Sequence, residues 1–137
     1  MTSTPTAARP ATTTGRRWAG AVLALVAAGV LWFVWLGWDT TYDVDPVTGR
    51  LSGPYSWWQV AGFVLSTGAL IFTARRFLPA AGNVPAVALG IAGGFALSAR
   101  ADDSGLAGIG VVLILLGSAA GVALFLAVVR LLSGPRS

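Results

Sequence analysis

The run WAGAVLALVAAGVLWFVWLGW, residues 18–38, decides the fold. It contains no ionisable side chain, and Arg17 and Asp39 close it on either side. At about 1.5 Å of rise per residue a helix of this length spans about 31 Å, the hydrocarbon thickness of a bilayer. No water reaches the backbone there, so the segment must pair its own amides, which a helix does. The run is too long for the apolar part of a signal peptide. It also ends in LWFVWLGWD, where a small-x-small cleavage pattern would be needed. It reads as a retained helix.

The composition of all 137 residues agrees: 55% are hydrophobic and only 10% charged, against about 25% charged in a soluble domain. Every basic residue is Arg and every acid is Asp, and Lys, Glu, His and Cys are absent. Arg without Lys, beside so much Ala, Gly and Val, suggests a high-GC bacterial coding bias. Without His or Cys the chain has no ordinary zinc, haem or iron–sulfur ligands, no catalytic thiol and no Ser-His-Asp triad. No cofactor is expected. The net charge of +4 comes from arginines scattered at segment ends, with no basic stripe interleaved with aromatics, so no nucleic-acid partner is expected.

Working outward, residues 1–17 read as a disordered cytoplasmic tail rich in Thr, Ala and Pro, and residues 134–137 as a second, short one. Between them, residues 18–133 form a transmembrane domain of four helices at about 18–38, 57–74, 84–99 and 105–132. With four spans both termini share one side. That side collects Arg9, Arg16, Arg17, Arg75, Arg76, Arg130 and Arg136; the other keeps Arg50 and Arg100 and all five acids. The positive-inside rule then places both termini in the cytoplasm. The expected fold is an all-α membrane protein, a four-helix bundle in a bacterial inner membrane, with lipids as its first partners.

The first two spans are joined by WDTTYDVDPVTGRLSGPYSWWQ, residues 38–59. Its centre, Asp45-Pro46-Val47-Thr48-Gly49, has turn chemistry, so the flanking TTYDV and RLS segments are expected to pair as a short hairpin. Ser56-Trp57-Trp58-Gln59 has capping-box spacing, and Tyr55 and Val60 stand where a hydrophobic staple belongs. The Trp and Tyr residues on either side, from Trp32 to Trp58, read as an interfacial aromatic belt. A cage for a quaternary ammonium headgroup is the sharper alternative. A calcium loop starting at Asp43 would need an acid or Asn at Val47, Gly at Thr48 and an acid at Pro54, which this sequence lacks. Asp103 or Ser104 is placed to cap the fourth helix.

No residue is assigned a catalytic, cofactor-binding or metal-binding role. The candidates for an outer-loop interaction are Asp39, Asp43, Asp45, Trp57 and Trp58. For helix packing they are Ala86, Gly90, Gly94 and Ser98, one every fourth residue, with Gly117 and Gly121 on the last helix. Small side chains let helix backbones approach closely in lipid. They serve either the bundle itself or a seam with a second copy or a membrane protein partner.

The loop DPVTGRLSGPYSWWQV resembles that of small four-helix integral membrane proteins of high-GC bacteria, over residues 38–75. The resemblance implies that Asp45, Gly49, Gly53, Pro54, Tyr55, Trp58 and Gln59 act as a unit; it implies no activity. With no ionisable group deep in any span, ion or proton passage lacks its usual side chains. The expected role is a non-catalytic accessory or assembly component. The alternatives are a small oligomeric pore or transporter, or a lipid-headgroup-binding protein.

Overall fold

The computed structural model describes residues 13–39 and 41–134. Four helices form an all-α bundle: α1 (Thr13–Trp32), α2 (Trp57–Ala74), α3 (Ala80–Ser98) and α4 (Ala107–Leu132). Each, with the turn that extends it where there is one, is long and apolar enough to cross a membrane. A π-helical turn, Phe33–Gly37, prolongs α1, and a 3-10 turn, Ala99–Ala101, prolongs α3. Strands β1 (Asp43–Val44) and β2 (Leu51–Ser52) pair antiparallel as the expected hairpin, Asp43 opposite Ser52 and Val44 opposite Leu51.

The boundaries of α2 fall where its sequence signals place them. Those of α1 and α3 do not. Thr13 to Arg17, assigned to the tail, form the first turns of α1; the remainder of that tail and residues 135–137 lie outside the described residues. Helix α3 starts at Ala80, four residues before the expected Val84, and runs through Pro85. Pro85 removes only one amide, and the turn before it is set from Pro79, whose carbonyl accepts the N–H groups of Gly82 and Asn83. Helix α4 starts at Ala107 where Gly105 was expected, because Gly105 takes a positive φ of 74° that no α-helix continues.

Helix α3 is the centre of the bundle, packed chiefly on α1 and α4, while α2 rests mostly on α1. Its residues explain this: Ala86, Ala88, Gly90, Ala92 and Gly94 are small, and all are buried. Facing it, α1 buries Ala24, Ala28 and Trp32, and Leu36 of the π turn continues the row. That spacing of four puts one side of α1 against α3. The closest approach is at Gly90. A Cβ there would fall on the Leu25 carbonyl oxygen and 2.8 Å from Ala28 Cβ.

One polar side chain is locked inside. Asn83, fully buried, donates from Nδ2 to the Ile71 carbonyl at 3.1 Å and ties α3 to the end of α2. Its Oδ1 has no partner among the described residues. Replacing Asn83 with Ala is expected to cost no more than about 1 kcal/mol. The Ile71 carbonyl keeps its bond from the Arg75 N–H, and the unpaired oxygen leaves with the side chain. A thermal melt in mild detergent reads this; a loss above about 3 kcal/mol would show that the amide does more than tie two helices.

Candidate functional site at the hairpin end

The hairpin, the starts of α2 and α4 and the ends of α1 and α3 share one end of the bundle. Asp39 is drawn inward. Its carboxylate accepts from Gln59 Nε2 at 3.2 Å and from Thr41 Oγ1 at 3.3 Å. Gln59 is 1% exposed and has a second task. Its Oε1 accepts the Ser56 N–H at 2.6 Å, one arm of the capping box that starts α2. One side chain therefore fastens both ends of the loop, twenty residues apart. The capping arm was legible in the spacing; the arm to Asp39 was not.

Asp45 holds the turn. It accepts the N–H groups of Val47 at 2.8 Å and Thr48 at 3.3 Å, and Gly49 turns the chain back with φ of 63°. The Val47 amide first, then Thr48, holds the Asp45 carboxyl below the usual carboxylate range. Because its pKa is lowered on folding, the carboxylate supports the turn at neutral pH, and that support is lost as pH falls through the lowered value. Protection of the Val47 and Thr48 amides, taken relative to their intrinsic exchange at each pH, should hold from pH 7 to 5 and be lost only at more acid pH, below where free aspartate titrates. Loss of that protection already at pH 5 to 6 would refute the assignment.

On the other connection it is Asp102, not Asp103, that is engaged: it accepts the Ser104 N–H at 2.9 Å, and Ser104, by its side chain first, lowers its pKa. Ser104 Oγ accepts the Leu106 N–H at 3.3 Å, just ahead of α4. Asp43 lies in β1, where its backbone carbonyl accepts the Ser52 hydroxyl. The structure thus does not gather the acids. Among the described residues no three of them form a group able to hold a metal ion.

The aromatics divide into two sets. Trp57 is 82% exposed and Trp38, Tyr42 and Phe33 are exposed with it, as an interfacial belt requires. Trp32 is not part of that belt. It is 5% exposed, stands edge-on to Tyr55, Phe63 and Phe95 with centroids 5.6–6.4 Å apart, and donates its indole N–H to Ser98 Oγ at 3.2 Å. Trp35 similarly donates to Ser66 Oγ at 3.2 Å and meets Trp58 edge-on at 6.3 Å. Tyr55 packs on Trp32, and burial, with Tyr42 and Asp39 nearby, pushes its phenol pKa up. Edge-to-face rings with occupied N–H groups leave no open cage around Trp32.

Of the packing candidates, Ala86, Gly90 and Gly94 lie buried on α3, and Ser98 bonds Trp32. Gly117 and Gly121 differ: a Cβ at either would meet nothing within 4 Å. They face away from the bundle. Comparison with known proteins gives no match to a family model, a curated protein or a solved structure. The roles of these residues therefore rest on their geometry. What the hairpin end offers chemically is a fastened loop with exposed indoles, the Asp39, Asp45 and Asp102 carboxylates bonded within their own connections or to the cap of α2.

Proposed function

We propose that this chain is a multi-pass protein of a bacterial cytoplasmic membrane, with both termini on the cytoplasmic side. In it the chain acts as a non-catalytic accessory or assembly component. The observation that carries this reading is α4. Its Gly117 and Gly121 are exposed and unpacked, while glycines of the same spacing on α3 are consumed by α1. In lipid, small residues are where a second helix approaches most closely. The arginine asymmetry supports the orientation: Arg16, Arg17, Arg75, Arg76 and Arg130 lie toward the end opposite the hairpin. The exposed Trp57 and Tyr42 fit the outer interface and the fastened hairpin a partner's outer surface.

The test is native mass spectrometry of the protein extracted gently from its own membrane, alone and as Gly117→Leu/Gly121→Leu. A defined complex with another membrane protein, lost in the variant while its melting temperature holds, is the expected result. Recovery of the same complex with the variant would remove α4 as the contact. A homo-oligomer that passes ions in liposomes would replace the assembly role with a pore.

A further inference from the structure

At the end opposite the hairpin a cavity of about 600 Å³ opens between the end of α2, the start of α3 and the end of α4. Arg75, Arg76 and Arg130 all line it, with Ser133 beside them and Leu78 and Leu126 as apolar wall. Three arginines on the lining of one cavity concentrate positive charge that an anion would neutralise. No aspartate lies among the lining residues: Asp39, Asp43, Asp45, Asp102 and Asp103 all belong to the two connections at the far end. Arg75 is held in place by Phe72, its guanidinium carbon 4.0 Å from the ring centroid. Stacking occupies the face of the guanidinium and leaves its N–H edge for an oxyanion. The start of α3, at Pro79 and Ala80, also borders the cavity and adds the Ala80 N–H and the positive end of a helix dipole.

We propose that this cavity binds the phosphate of an anionic phospholipid, and this rests on the membrane-spanning reading above. Arginine forks match phosphate oxygens two at a time. The position favours a lipid over a free anion. The cavity lies where the apolar spans of α2 and α4 end, the depth of a headgroup. Leu78 also lines a neighbouring apolar groove of about 430 Å³ between α1 and α2, with Leu23, Leu70 and Phe77, a surface that an acyl chain would cover. Basic pockets between helices at the cytoplasmic edge are where anionic headgroups bind, each arginine contributing about fivefold in affinity.

The full chain in neutral detergent is titrated with dioleoyl phosphatidylglycerol or dioleoyl phosphatidylcholine, and lipid adducts are counted by native mass spectrometry. Two variants of equal charge are compared, Arg76→Gln/Arg130→Gln and Arg50→Gln/Arg100→Gln. Wild type and the second variant should retain the anionic lipid over the neutral one by about tenfold or more. In the first variant that preference should fall by an order of magnitude or more, and Arg76→Lys/Arg130→Lys should fall between. A wild-type ratio near one overturns the proposal without recourse to any variant. So does an equal loss in both charge-matched variants. Displacement of the lipid by equimolar inorganic phosphate would assign the cavity to a free anion. Flotation with phosphatidylcholine liposomes scores the membrane reading separately: a chain that floats without anionic preference loses this site alone.

Discussion

Gly90→Leu is expected to lower the stability of the bundle by at least about 3 kcal/mol, a large share of the roughly 5–15 kcal/mol that holds a typical domain together. The first atom of the new side chain already collides. A Cβ at residue 90 would fall on the Leu25 carbonyl oxygen and against Ala28 Cβ at 2.8 Å, so α1 itself would have to retreat. Backbone in a helix cannot swing aside as the tip of a flexible side chain can. Retreat of α1 would also loosen Gly94, where a Cβ would stand 2.8 Å from that of Trp32. The control lies three residues along: Gly93 is exposed and has nothing within 4 Å of a Cβ position. Gly93→Leu adds the same atoms to the same helix, and it should leave the melting temperature in mild detergent close to wild type. If the two variants melt together, the close approach of α1 and α3 is not what holds the bundle.

The second large effect is expected at Trp32. Trp32→Ala should cost about 3–5 kcal/mol, the usual loss for emptying a large aromatic site in a packed interior. The ring is buried among Tyr55, Phe63 and Phe95, contributed by the loop, α2 and α3, so its removal loosens three segments at once. The indole N–H bond to Ser98 Oγ is lost with it, although Ser98 keeps its own bond to the Phe95 carbonyl at 2.8 Å. Trp32→Phe separates the terms: it keeps an aromatic ring and loses the hydrogen bond, and should cost on the order of 1 kcal/mol of hydrogen bonding plus part of the ring's packing. Urea or thermal unfolding in detergent measures both. An alanine variant that loses less than about 1 kcal/mol would return Trp32 to the membrane surface.

These two sites also show where the amino-acid sequence was legible. Helix α2 was readable to its ends because its signals are local: a capping box at Ser56–Gln59 and a pair of arginines after Ala74. The hairpin was readable because Asp45 and Gly49 make a turn by themselves. Trp32 was assigned to the aromatic belt because its neighbours in sequence belong there. Its correct company, Ala24, Ala28 and Leu36, was visible as a row at spacing four. The expected start at Val84 left Asn83 outside α3, because asparagine does not favour a helix alone. Burial against Ile71 overrides that preference, and no local pattern reports it. Glycines at spacing four on α3 and α4 were indistinguishable in sequence, since only the partner backbone across the groove makes one set structural and leaves the other open.

Gln59 carries a consequence for how this fold can vary. Its oxygen serves Ser56 and its nitrogen serves Asp39, so the position needs an acceptor and a donor at one fixed reach. Glutamate would keep the acceptor and set a second carboxylate against Asp39. Asparagine is a methylene short, and leucine fills the volume while leaving both polar partners unmet. Glutamine is thus the side chain that meets both demands as long as Asp39 stands opposite. A change that removes the acceptor at 39 leaves the Gln59 amide unpaired inside the bundle, so the two positions, twenty apart, are linked in what each can become.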